Sequence, residues 1–342
     1  MVNPLNSTET TTAEDPALSP EITSDDVLAA QTRIAPFVRK TPLVPSRTLS
    51  KRFRSNMYLK LEVFQRTGGF KVRGAFNKIL SLLEKQSLSG VVAVSGGNHG
   101  QAVAYAARKL GLKALILMPK ITPSNYLKAI RDYGAEVIPT SSMEEGFGWV
   151  SGYERKGWSF VHPFDDPLVI AGQGTLGLEI LKAIPQVTDV ILSVGGGGLA
   201  AGVGIAVRSR KPEVRIWGVA TEGADSMARA LQAGRVVDLA KITSIAHTLG
   251  APAVSKRTLA LAQQHLESVT VVPDREAVRA LCYLLERMKV LTEPASSCTL
   301  AAAERLREHF LSHHHVVLVL CGGNIAVSDL LEYERRFGTN GN

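Results

Sequence analysis

Short apolar runs alternate with longer stretches of helical period along most of the chain. Val91 to Val94, Ala114 to Met118, Val137 to Ile138, Val190 to Val194, Arg215 to Val219 and Val316 to Leu320 read as buried strands, being short, apolar and mostly rich in β-branched residues. Between them, Gln101 to Leu110, Asn125 to Tyr133 and Ala295 to Glu308 read as helices. This alternation predicts an α/β architecture with largely parallel sheets, because parallel strands need crossover connections and are covered on both faces. The opening residues 1–20, rich in Thr, Ser, Pro and acids and without an apolar period, read as a mobile tail. No repeat and no Pro/Ser-rich linker divides the remainder, so the domains are expected to interleave along the sequence.

In open α/β sheets ligands bind beyond the carboxyl ends of strands. Three of the runs end in glycine-rich loops: Ser95-Gly96-Gly97-Asn98-His99-Gly100 after Val94, Gly195-Gly196-Gly197-Gly198 after Val194, and Cys321-Gly322-Gly323-Asn324 after Leu320. The tetraglycine loop precedes the helix-compatible run Leu199 to Val207, so it can aim several backbone N–H groups at a phosphate beside a helix N-terminus. It lacks both the Gly-Lys-Ser/Thr ending of a nucleotide P-loop and the spaced glycines of a dinucleotide fingerprint. A small phosphorylated cofactor is the economical reading, against a tight turn with no ligand. Among aldehyde cofactors bearing a phosphate, pyridoxal phosphate requires a lysine amine for its Schiff base, and Lys71 lies in Thr67-Gly68-Gly69-Phe70-Lys71-Val72-Arg73-Gly74-Ala75.

That block resembles the lysine motif of the serine/threonine dehydratases and serine racemases, and Ser95 to Gln101 resembles their substrate loop. Further blocks follow in the same order: His162 to Asp166, Gly172 to Thr175, Val194 to Leu199, Glu293-Pro294 and Cys321 to Asn324. The resemblance runs from about Asp25 to Leu331. It implies a fold type II pyridoxal-phosphate enzyme, α/β, with two open twisted, mostly parallel sheet domains and the cofactor in the cleft between them. The larger domain would comprise residues 21–87 and 163–342, and a smaller mobile one residues 88–162.

The resemblance also implies roles. Lys71 would carry the cofactor and, once freed, act as the base; Phe70 would lie beside the ring; Asn98 would hydrogen-bond the ring hydroxyl. Gly195, Gly196, Gly197, Gly198 and Leu199 would hold the phosphate, Cys321 would face the pyridine nitrogen, and Glu293 would belong to the cofactor site. Ser95, Gly96, Asn98 and His99 would cradle the substrate carboxylate. A neutral thiol at the nitrogen, unlike a carboxylate, leaves the ring largely unprotonated and favours elimination over transamination. The implied reaction is dehydration and deamination of a small β-hydroxy amino acid, L-threonine or L-serine, to a 2-oxo acid and ammonia, by a chain expected to form a homodimer.

Departures from the family pattern shape this expectation. Gly96 stands where the racemases carry a second serine, so elimination is expected over racemisation. Gly69 replaces the usual serine two positions before the lysine, which leaves bulkier substrates such as 3-hydroxyaspartate or phenylserine open. The cation site of some relatives is matched by Ala220, Ala224 and Ser226, with Glu222 and Asp225 out of register, and no metal is expected. The alternatives are a cysteine synthase-like β-replacement enzyme, whose lysine block usually differs, and a non-catalytic protein that binds the cofactor.

Composition adds little. The formal charge is +8 over 342 residues, but residues such as Arg52, Arg54, Lys85 and Arg155 are dispersed, and no aromatic-basic platform points to nucleic acid. Cys282, Cys298 and Cys321 are too few for a disulfide framework and lack zinc spacing. His313-His314-His315 reads as a solvated turn. No run is long enough for a membrane span and the first basic residue is Arg33, so no leader or membrane partner is expected and the location is expected to be cytoplasmic.

Overall fold

The computed structural model describes residues 21–337, so the expected tail at 1–20 lies outside them. Among the described residues ten strands form two sheets: β1 Leu43–Pro45, β2 Asn56–Leu61, β3 Gly90–Val94, β4 Ala114–Pro119, β5 Glu136–Thr140, β6 Trp158–Phe160, β7 Asp189–Ser193, β8 Arg215–Thr221, β9 Ser268–Val272 and β10 His315–Leu320. The larger sheet has the order β1-β2-β10-β7-β8-β9 and the smaller β5-β4-β3-β6. Every pairing is parallel except β1 with β2.

Both sheets are covered on both faces, which is why their central strands read as unbroken apolar runs. In β10, Val316, Leu318 and Leu320 enter one core while Val317 and Val319 enter the opposite one. In β3, Val91 and Ala93 face one side and Val92 and Val94 the other.

The helix Pro167–Ala183 is the post against which two site-bearing helices are clamped. The helix Lys71–Leu83 crosses it where Gly74 meets Gly172: a Cβ at Gly172 would stand 2.7 Å from Gly74 Cα and from Arg73 O. The helix Gly198–Arg208 crosses it where Gly202 meets Gly174, and a Cβ at Gly202 would stand 2.3 Å from Ile170 O. The Gly172 to Thr175 block thus sets the spacing between helices, and through it the separation of Lys71 from the tetraglycine loop.

Three sequence readings are revised. The helix expected from Gln101 begins at Asn98, because Asn98 and His99 find tertiary partners while in helical geometry. The helix expected to reach Glu308 spans Pro294–Arg305 and gives way to a 3₁₀ turn at Arg307–His309, seating Leu306 and Phe310 in the core. The triple histidine is only partly solvated. His313 is exposed, but His314 Nδ1 accepts from Arg215 at 3.0 Å and His315 Nδ1 lies 2.9 Å from the Tyr58 hydroxyl.

Candidate active site

The loops beyond β3, β7 and β10 converge with the segment that leads into Lys71. Gly69 bridges Gly322 in antiparallel fashion, Phe70 N–H donates to Cys321 O at 3.0 Å, and Gly323 N–H donates to Gly68 O at 2.9 Å. This short zipper delivers Lys71 as the first residue of its helix, with the Phe70 side chain packed on the core that contains Cys321. The Lys71 ammonium donates to the Pro163 carbonyl at 2.5 Å. Loss of hydration on burial lowers its pKa to about 8, partly opposed by Cys321. An amine so placed can shed its proton far more readily than a surface lysine.

Behind Lys71 lies a buried ion cluster that the sequence did not reveal. Arg73, in the first turn of the same helix, donates to both oxygens of Glu62 at 2.9 and 2.8 Å and to Glu179 at 2.7 Å; Lys60 donates to Glu179 at 2.5 Å. Two cations and two carboxylates balance, as buried charges must. The cluster ties the lysine helix to the post helix and to β2.

The tetraglycine loop leads into the helix Gly198–Arg208 without a side-chain cap. Among the described residues, no acceptor takes the amides of Gly196, Gly197, Gly198 or Leu199. Four successive N–H groups at a helix N-terminus form a cradle for an anion. Gly197 has φ +93°, in the left-handed region that favours glycine. Gly195 lies against the Leu249 backbone, while Gly196 and Gly198 are covered by Phe164, whose ring would lie 2.3 Å from a Cβ at Gly196. Phe164, inside a block matched by sequence, thus acquires a concrete place as the cover of the loop.

Beyond β3, the Ser95 hydroxyl accepts from Gly97 N–H at 3.1 Å and closes the turn. The helix Asn98–Lys109 also lacks a side-chain cap. Its first-turn amides can receive a carboxylate. A Cβ at Gly96 would lie 2.5 Å from the Thr122 hydroxyl, so this loop from β4 fills the space that residue 96 leaves. The His99 ring is not a donor to that turn. Its Nε2 lies 2.8 Å from Val161 O, which makes Nε2 the N–H and Nδ1 a bare acceptor with no partner among the described residues. Burial, reinforced by Lys71, lowers its pKa to about 3, so the ring is neutral. His99 can offer a carboxylate its backbone amide, not its ring.

Asn98 is buried and held at both ends. Its Nδ2 donates to Glu293 Oε1 at 2.6 Å and its Oδ1 accepts from Asn324 Nδ2 at 2.7 Å. Tyr126, on the helix Ser124–Asp132, donates to Asn324 O at 2.5 Å and lies 3.3 Å from Glu293 Oε2. Burial pushes the Glu293 carboxyl up to about 7, against the hydrogen bonds from Asn98, Tyr126 and Thr248. Asn324 lies in a recognised block, but its contact is visible only in three dimensions. Tyr126 gave no signal, since an aromatic on an amphipathic helix reads as core.

The Cys321 thiol is buried, 3.8 Å from Ser193 Oγ and 3.7 Å from Ala295 O. Burial, with Glu293 nearby, pushes its pKa well above the ordinary thiol range, so it is neutral. The described residues thus bring together a half-buried amine of lowered pKa, a neutral thiol, an anion cradle and a second uncapped helix start. Such a set fits a phosphorylated aldehyde better than a metal or a nucleotide.

Comparison with known proteins agrees. The family described as pyridoxal-phosphate dependent enzyme matches residues 34–322. The chain is 40% identical over 303 residues to an L-threonine ammonia-lyase of Geobacter sulfurreducens, covering 88% of this chain and 75% of that protein. It is 35% identical over 307 residues to the catabolic L-threonine dehydratase of Escherichia coli, covering 89% and 93%. The structure is similar to maize serine racemase with a TM-score of 0.86 at 33% identity, covering 92% of this chain and 97% of that one.

Proposed function

The chain belongs to the family of pyridoxal-phosphate dependent enzymes, and from that premise we propose that it is an ammonia-lyase acting on L-threonine or L-serine. The observation that carries the reading is the half-buried Lys71 ammonium of lowered pKa, held on the Pro163 carbonyl beside the segment that carries the neutral Cys321 thiol. Pyridoxal phosphate, when bound, supplies an aldehyde for Schiff-base formation and a conjugated ring that accepts the electron pair left when the α-proton departs.

The rest of the work falls to side chains and amides of this chain. Lys71 holds the cofactor and, when free, removes the α-proton, for which an amine with a pKa near 8 is suited at neutral pH. The amides of Gly196 to Leu199, with Gly195, would hold the phosphate, and Phe70 would lie beside the ring. Asn98 would meet the ring hydroxyl, and Cys321 would face the ring nitrogen with an uncharged S–H. Ser95, Gly96, Asn98 and His99 bind the substrate carboxylate through the turn and first-turn amides. We read the chain as a large part, 21–87 with 163–342, and a small part, 88–162, whose approach would exclude water during elimination.

Purified protein given L-threonine or L-serine is expected to release 2-oxo acid and ammonia. A Lys71→Ala variant is expected to lose both the activity and the visible Schiff-base absorbance. Oxo-acid release undiminished in that variant would sink the assignment of Lys71. Racemisation of serine is the second reading, and the observation favouring it is the Thr122 hydroxyl filling the space beside Gly96. Formation of D-serine that depends on Thr122 would support it.

A further inference from the structure

The contacts around Glu293 carry an inference about how the cofactor site is aligned, and it rests on the reading of Asn98 given above. A primary amide can be flipped end for end with little change in shape, and its orientation is set by its partners. Here the partners form a chain. Asn324 Nδ2 donates to the main-chain carbonyl of Thr67 at 2.7 Å, which fixes that amide. The same nitrogen donates to Asn98 Oδ1 at 2.7 Å, and Asn98 Nδ2 donates to Glu293 Oε1 at 2.6 Å. Flipping Asn98 would set two NH₂ groups face to face at one end and two oxygens at the other. Glu293 is itself held. Its backbone N–H donates to Gly322 O at 3.1 Å, and a Cβ at Gly322 would stand 2.4 Å from its Oε1. Asn98 uses one N–H of its Nδ2 in this chain and retains a second.

We propose that Glu293 is a positioning residue: it locks the Asn98 amide with nitrogen rather than oxygen available, so that Asn98 acts only as a donor to the ring hydroxyl oxygen of the cofactor. Among the described residues, Tyr126, Cys298 and Cys321 are the titratable groups facing Glu293, and burial pushes all three above their ordinary ranges. Glu293, held up at about 7, is therefore the member of this group that changes charge near neutrality. Its ionisation strengthens the acceptor on which the Asn98 orientation depends.

The test is a double-mutant cycle on cofactor affinity, read by the absorbance of the holoenzyme during cofactor titration and needing no turnover. Asn98→Ala and Glu293→Ala are each expected to weaken binding about tenfold, and the double variant to be no weaker than either within about twofold, since one residue acts through the other. Glu293→Gln, whose carbonyl can still accept from Asn98, is expected to restore affinity to within about threefold of the parent. It is also expected to remove the component near pH 7 from the pH dependence of the bound cofactor spectrum, a readout that remains if the alanine chain does not fold. A double variant weakened about a hundredfold, the product of the two losses, would overturn the proposal while leaving Asn98 in the cofactor site. An unchanged affinity in Asn98→Ala would instead overturn the reading on which the proposal rests. An unchanged spectral pH profile in Glu293→Gln would overturn it from the other side.

Discussion

At the scale of single residues, burial decides what each ionisable group in the cleft can do. Lys71 and His99 lose affinity for protons and Glu293 gains it, because each charged form is denied water. For Glu293 the consequence for stability has a definite sign. The folded chain keeps this proton up to about pH 7, whereas an exposed carboxyl releases it near its ordinary value of 4.5. Between those limits the folded state binds more protons than the unfolded one, so the contribution of Glu293 to stability is greatest below the lower limit and is lost as pH rises through the upper. Denaturant titrations of Glu293→Gln should therefore show the difference between variant and parent growing in favour of the variant from about pH 5 to about pH 8, by up to about 3 kcal/mol. A difference independent of pH would mean that Glu293 is charged throughout. The sequence disclosed Lys71, the glycine loop and Cys321 because motif and strand end coincide. It could not disclose that the His99 ring is committed to Val161 or that Glu293 meets Asn98, since those pairs are 62 and 195 residues apart.

At the scale of elements, the strands were legible wherever both faces are buried, because composition alone then marks them. β1, β2, β6 and β9 escaped for physical reasons. β1 and β6 have three residues each, β2 mixes Asn56 and Lys60 into its run, and β9 is a half-buried edge. Helix boundaries were less legible still, since the start at Asn98 depends on partners from distant loops. The glycines of the Gly172 to Thr175 block gave no hint that they let three helices approach closely. Gly202→Ala probes that close approach, because its Cβ would meet backbone atoms of Ile170 and Gly174 at 2.3 and 2.6 Å, and backbone cannot rotate away. Overpacking of this kind is expected to cost at least about 2 kcal/mol in chemical denaturation. It should also weaken cofactor binding, because the displaced helix carries the amides of Gly198 and Leu199. Unaltered stability would show that the two helices can separate freely.

At the scale of the whole molecule, two residues that make polar contacts between the two sheet units converge on one acid. Asn98 and Tyr126, flanking β4 in the smaller unit, both reach Glu293 and Asn324 in the larger. The Tyr126 hydroxyl is thus placed to report the approach of one unit to the other. Replacing it by Phe preserves the ring packing while depriving the Asn324 carbonyl of its donor and Glu293 of one of several, at a cost of about 1–2 kcal/mol. That loss falls on the contact between units rather than on either core, so it should appear as local opening. Hydrogen exchange is expected to quicken in the helix Ser124–Asp132 of Tyr126→Phe while β10, buried at the centre of the larger sheet, exchanges as in the parent. Equal protection of that helix in both proteins would mean that the Asn98 contacts and apolar packing hold the units together without the phenol, which is then not the latch its position suggests.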